Sequence, residues 1–108
     1  MTWTTYHRRE DVMWDVIAAV DARADGRLPM DLPGVAETFG DDRTLLGALQ
    51  LRWHTRLAGR IEREVDRAPH DPEAAVAAAR RQTARELPGV RAVLDRYGER
   101  QCRPEDAA

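Results

Sequence analysis

Apolar positions recur at helical spacing along almost the whole chain. Val12, Met13, Val16, Ile17, Val20 and Ala24 share one face, which predicts a first helix from about His7 to Ala24 with Thr4 or Thr5 as its cap. Asp25-Gly26 ends it, since glycine readily takes the left-handed conformation after a helix. Arg27 to Pro33 contains two prolines and reads as an ordered loop. Pro33 then opens a short helix that stops at Gly40, just after Phe39.

Asp41 to Arg67 predicts one long helix with two differently made faces, capped by Asp41 or Asp42. Leu46, Trp53, Leu57, Ile61 and Val65 form an apolar band, and His54 falls within it. Beside the band, Arg52, Arg56, Arg60, Arg63 and Arg67 make a single arginine stripe at about 100° per residue. Within the stripe, Arg63 and Arg67 continue the line of Leu45 and Leu49, so that line changes from greasy to basic along the helix.

Ala68-Pro69-His70 is the next break. Asp71-Pro72-Glu73 joins a cap residue, a proline at the first helical position and an early acid, a strong start for an alanine-rich helix ending near Glu86. Pro88-Gly89 interrupts, and Val90, Val93, Leu94 and Tyr97 lie on a final helix reaching Gly98. No segment alternates with the period of a strand. The expected fold is therefore all-α: a compact four- or five-helix bundle-like domain with one long central helix. Residues 1–108 form one domain, with about 1–5 and 101–108 flexible at its ends.

Leu32-Pro33-Gly34-Val35 recurs as Leu87-Pro88-Gly89-Val90, each time before a short amphipathic helix. The long helix has no second copy, so reuse of one local solution explains the echo better than duplication does.

Composition narrows the function. The formal charge of −2 argues against a general polyanion binder, which needs a basic excess or a segregated basic face. All 17 basic residues are arginine, and there is no lysine, serine or asparagine, as a GC-rich genome would write. A row of arginine is thus in part a row of whatever cation the codons supply. Cys102 is the lone cysteine, so no internal disulfide can form, and a reducing cytoplasm fits best. Met1 to Tyr6 lacks a signal-peptide pattern, and no apolar run approaches the ~20 residues that span a bilayer; no membrane association is expected.

The arginine stripe has two readings. Guanidinium forks pair bidentately with phosphates and carboxylates, so Arg52, Arg56, Arg60, Arg63 and Arg67 are candidate contacts for an acidic partner. Otherwise they are a largely solvated helix edge, paired locally as Arg60 with Glu64. Trp14 lies off the main apolar face of the first helix and is a second candidate contact. His54, beside Trp53, is either a ligand-binding group or a partly buried, hydrogen-bonded structural histidine, and its place in the apolar band favours the latter.

Other chemistry is thinner. Asp21, Asp25, Gly26 and Leu28 fill four positions of a calcium-binding loop, but Arg23 and Leu32 occupy ligand positions, so no metal is expected. Val35, Ala36, Phe39, Gly40, Leu46 and Leu49 follow the order of a helix-turn-helix, and those twenty or so residues resemble DNA-binding domains of that type. Asp41 departs from that pattern, and the would-be recognition helix would present Asp42, Arg43, Thr44, Gly47 and Ala48, with a single cation among them. No catalytic constellation and no cofactor motif are present, so no enzyme activity, catalytic residue or cofactor is expected.

Over most of its length the chain resembles small all-helical proteins of high-GC, actinobacterial-type bacteria. The resemblance is clearest at Tyr6-His7-Arg8-Arg9-Glu10-Asp11 and Leu49-Gln50-Leu51-Arg52-Trp53-His54-Thr55-Arg56-Leu57. It implies a helical fold and carries no activity or site. The sequence thus points to a non-enzymatic protein-interaction module with a protein partner, acidic if the arginines engage it. A homodimer through alanine-rich surfaces is a further form. A helix-turn-helix DNA-binding regulator is the alternative, and a small-ligand or metal-binding protein centred on His54 the third.

Overall fold

A computed structural model describes the backbone of residues 2–102 and the side chains of residues 8–98. It contains α1 (Thr2–Arg23), α2 (Val35–Phe39), α3 (Asp42–Arg67), α4 (Pro72–Glu86) and α5 (Pro88–Cys102), and no strand among the described residues. The fold is an all-α, bundle-like arrangement around one long central helix, α3.

Local chemistry sets most helix ends. The Asp41 carboxylate accepts the Thr44 N–H at 2.8 Å and caps α3. Asp71 does the same for α4 through the Ala74 N–H at 3.2 Å, with Pro72 in the first turn. Hydrogen bonds from the Thr44 side chain and N–H hold the Asp41 carboxyl below the ordinary carboxylate range. In the α1–α2 loop, Arg23 grips Asp31 through paired bonds of 2.8 and 2.9 Å and lowers that carboxyl as well. Both groups therefore add stability at neutral pH that is lost as pH falls through their lowered values.

Four helix ends differ from expectation, and one of them is the start of α2, at Val35 rather than Pro33 because Gly34 is left-handed. α1 reaches back to Thr2, so Thr4 and Thr5 lie inside it rather than capping it. Nothing between Thr2 and His7 is a glycine or proline, so no breaker stops the helix there. α5 runs on through Cys102, which places residues 101–102 in a helix; Met1 and residues 103–108 lie outside the described residues. At the end of α1 the left-handed turn falls first on Ala24, at φ 51°, before Gly26 at φ 69°. Ala24 is exposed, not on the buried face. A left-handed alanine is strained, so Ala24→Gly should stabilise the fold by about 0.5–1 kcal/mol in a denaturant titration. A loss of stability would show that the strain is absent.

The core gathers Val12, Met13, Val16, Ile17 and Val20 of α1 with Val35 and Phe39 of α2. Leu45, Leu46, Leu49 and Trp53 of α3, and Leu87, Val90 and Val93 around the start of α5, complete it. The two Leu-Pro-Gly-Val segments both seat against α1. A Cβ on Gly34 would meet Val12 at 3.3 Å, whereas one on Gly89 would overlap the backbone of Val20 and Asp21. Each delivers a fully buried valine, Val35 or Val90. They are not copies of one conformation, since Gly34 is left-handed at φ 85° and Gly89 is helical.

Asp21 has a structural task in that contact. Its Oδ1 accepts the Gly89 N–H at 2.8 Å, so a side chain of α1 caps α5 from the far end of the sequence. Asp25 Oδ1 accepts the Arg27 N–H at 3.0 Å. Both acids of the calcium-like segment are thereby engaged in local and tertiary capping.

The buried residues of α3 all lie between Leu45 and Trp53. Beyond Trp53, α4 is its main cover, and the two helices form an antiparallel hairpin, the most extensive helix pair in the fold. Ala75, Ala79 and Thr83 are the buried positions of α4, and Thr83 Oγ1 donates to the Ala79 carbonyl at 2.8 Å. Small side chains allow the close approach, at the cost of burying little area each.

Candidate functional site

The arginine stripe is not one solvated edge. Arg52 pairs with Glu10 of α1 at 3.2 Å. Arg56 Nε lies 3.0 Å from Glu86 of α4, and Arg60 binds the other oxygen of the same carboxylate. Arg60 also donates to Gln82 Oε1 at 3.3 Å, and Gln82 Nε2 donates to Glu64 at 2.9 Å. Arg67 pairs with Glu64 at 3.6 Å but keeps 78% of its side chain exposed. The expectation of a largely solvated ridge is therefore corrected for Arg52 and Arg60, whose side chains are only 26% and 29% exposed.

The reason lies in the line the stripe continues. Leu45 and Leu49 are fully buried on that line, so the arginines that follow point along the flank of the bundle rather than away from it. Arg56 and Arg60 serve as cross-links of the α3–α4 hairpin. Among the described residues, Arg63 has no ion-pair partner. It shares a shallow groove with Arg52, Thr55, Arg56 and Gly59.

Among the described residues, α1 and α3 do not approach closely at the level of the backbone. Long side chains bridge the gap. The groove between them, about 240 Å³, is lined by Arg9, Glu10 and Met13 from α1 and by Ala48, Leu51, Arg52 and Thr55 from α3. Arg52 reaches across it, paired to Glu10 and placed over the Trp14 ring at 5.6 Å. Arg9 lies over Phe39 at 4.7 Å. Trp14 is 57% exposed and Leu51 68% exposed, and these are the large apolar residues that the described surface leaves open to solvent. The off-face position of Trp14 was legible from helical spacing. Leu51 was missed, although its signal was present: it sits two positions from Leu49 and Trp53, off the buried line.

His54 is exposed, contrary to the buried structural histidine expected from its place in the apolar band, whereas its neighbour Trp53 is buried. The band was defined by angle over the whole helix, but what covers α3 changes along its length. At His54 the core has ended and α4 covers only a narrow strip. His54 instead edges a cleft of about 390 Å³ with Trp53, Leu57, Arg80, Arg81, Ala84 and Arg91. Arg91 lies over the Trp53 ring at 5.2 Å and pairs with Asp95 at 3.0 Å. Nothing in the spacing of α4 or α5 alone could have joined these residues, because they come from three helices.

The segment likened to a helix-turn-helix folds as α2 and α3 joined through Gly40 and Asp41, with Ala36 exposed rather than packed. Gly40, at φ 84°, separates α2 from Asp41, and Val35, Phe39, Leu46 and Leu49 are buried. Asp42, Arg43, Thr44 and Gly47 are exposed, as are Glu37 and Asp41 beside them. Among the described residues no set of three or more His, Cys, Asp or Glu side chains could hold a metal ion, and no helix is long and apolar enough to cross a membrane.

No protein-family model, curated protein or solved structure matches the chain.

Proposed function

We propose that the chain is a non-enzymatic protein-interaction module whose contact surface is the α1–α3 groove. One observation carries this reading: of the two large exposed apolar side chains, Leu51 lines this groove and Trp14 packs against the Arg52 guanidinium that also lines it. Tryptophan and arginine are the residue types that dominate binding hot spots. Here the arginine is oriented in advance by Glu10, which lowers the entropy lost on docking. The groove continues along α3 to Arg63, so the fitting partner is a protein segment with an apolar anchor and acidic residues on the Arg63 side. The lone Cys102 is compatible with work in the cytoplasm.

DNA recognition has less support. The α2–α3 corner offers Glu37, Asp41 and Asp42 against Arg43, an acidic surface that phosphates would oppose. The groove reading is tested by the double variant Trp14→Ser, Leu51→Gln. Both positions are exposed, so the fold should lose less than about 1 kcal/mol per change. Proteins captured from native cells by the wild-type chain should be lost with this variant and kept with Arg85→Gln on α4. An unchanged set of captured proteins would refute the assignment of the surface.

A further inference from the structure

The His54 cleft is built differently from the α1–α3 groove. Arg80 and Arg81 stand on one wall, from α4. Arg91 enters from α5, and His54 stands on the α3 side. Among the described residues no carboxylate lines the cleft, in a chain whose net charge is −2. Within the described residues, four of the arginines along α3 are matched by acids, Arg52 by Glu10, Arg56 and Arg60 by Glu86 and Arg67 by Glu64, whereas Arg63 is not. Around this cleft only Arg91 has such a partner, Asp95, and that carboxylate lies outside the lining. Arg80 and Arg81 have no ion-pair partner among the described residues.

Three like charges converging on one cavity repel one another, and an anion between them would relieve this. Arg91 is already held over Trp53, so one of the three is fixed before any ligand arrives. Trp53, Leu57 and Ala84 give the cleft an apolar floor, which strengthens a charge-assisted hydrogen bond made above it. The donors are several guanidinium forks and an imidazole, arriving from different walls. A carboxylate offers two acceptor oxygens in one plane. A phosphoryl group offers three or four in a tetrahedron and carries more charge, which suits donors that converge from three helices.

We propose that this cleft is an oxyanion site that takes a phosphoryl group, either free inorganic phosphate or the phosphate of a small organic ester. Its volume of about 390 Å³ leaves room for an organic portion beside the anion. The site is separate from the α1–α3 groove and does not depend on it.

Calorimetric titration at fixed ionic strength with inorganic phosphate, glycerol 2-phosphate and, as a control, acetate tests the assignment. Saturable one-site binding of at least one phosphoryl probe is expected, with acetate weaker by about tenfold or more. Tighter binding of glycerol 2-phosphate identifies an ester as the source; equal or tighter binding of inorganic phosphate identifies the free anion. Arg80→Gln with Arg81→Gln should weaken binding by about tenfold or more, while Arg85→Gln, exposed on the same helix but outside the lining, should stay within about twofold. His54→Gln, on the opposite wall, should weaken it by about threefold and gives a second reading should the double variant fail to fold. Lack of saturable binding by either phosphoryl probe would overturn the proposal. So would equal losses in Arg85→Gln and the double variant, which would reduce the effect to general charge.

Discussion

Gly89→Ala should cost this fold about 3 kcal/mol or more, a larger loss than any surface change described above. The first turn of α5 lies directly on the end of α1, and the added methyl group would overlap backbone atoms of Val20 and Asp21. A clash with backbone cannot be relieved by a change of rotamer. α5 would have to move away from α1, taking with it Val90 and Val93, both fully buried in the shared core. The same movement would stretch the Gly89 N–H bond to Asp21 that caps α5. Urea titration followed by circular dichroism measures the effect. A variant within about 1 kcal/mol of wild type would mean that the two helices are not packed this closely.

The next largest loss is expected from Glu86→Ala. That carboxylate binds Arg56 and Arg60 together, and all three side chains are partly screened from solvent. Arg60 Nε is buried without a hydrogen-bond partner, so the bonds from its terminal nitrogens to Glu86 and Gln82 are what satisfy the guanidinium. Removing Glu86 leaves two neighbouring cations of α3 without their shared counter-ion on α4, with only Gln82 still accepting from Arg60. About 2 kcal/mol of stability should disappear, less than a fully buried pair would cost because water reaches this one. A double-mutant cycle of Glu86→Ala with Arg60→Gln should return a coupling energy of about 1 kcal/mol, reduced but not abolished by salt. Additive single effects would show that Arg60 and Glu86 do not work as a pair.

These two residues also mark where the sequence is readable and where it is not. Asp41 and Asp71-Pro72 announce their helices because capping is local: donor and acceptor lie within one turn. The all-helical fold and the span of α3 follow from the same short-range rules and from apolar periodicity. Gly89 looks like an ordinary break after a proline until α1 is packed against it. Arg56 and Arg60 look like a solvated edge until α4 brings Glu86 alongside. His54 looks buried by angle, yet the cover on α3 has ended there. Burial depends on which helix lies opposite, and a single sequence read one helix at a time does not contain that. The same limit hid the cleft of Arg80, Arg81 and Arg91, whereas Trp14 stood out because exposure off an apolar face is again a local property.

Photo-cross-linking from individual positions tests the interaction surface most directly. A benzophenone side chain would replace Trp14, Leu51 or, on the exposed side of α4, Ala77, in the full chain in its native cells. The α1–α3 groove account predicts the same covalent protein adduct from Trp14 and Leu51 and none from Ala77. Adducts from Ala77 alone, or no adduct from either groove position, would contradict it.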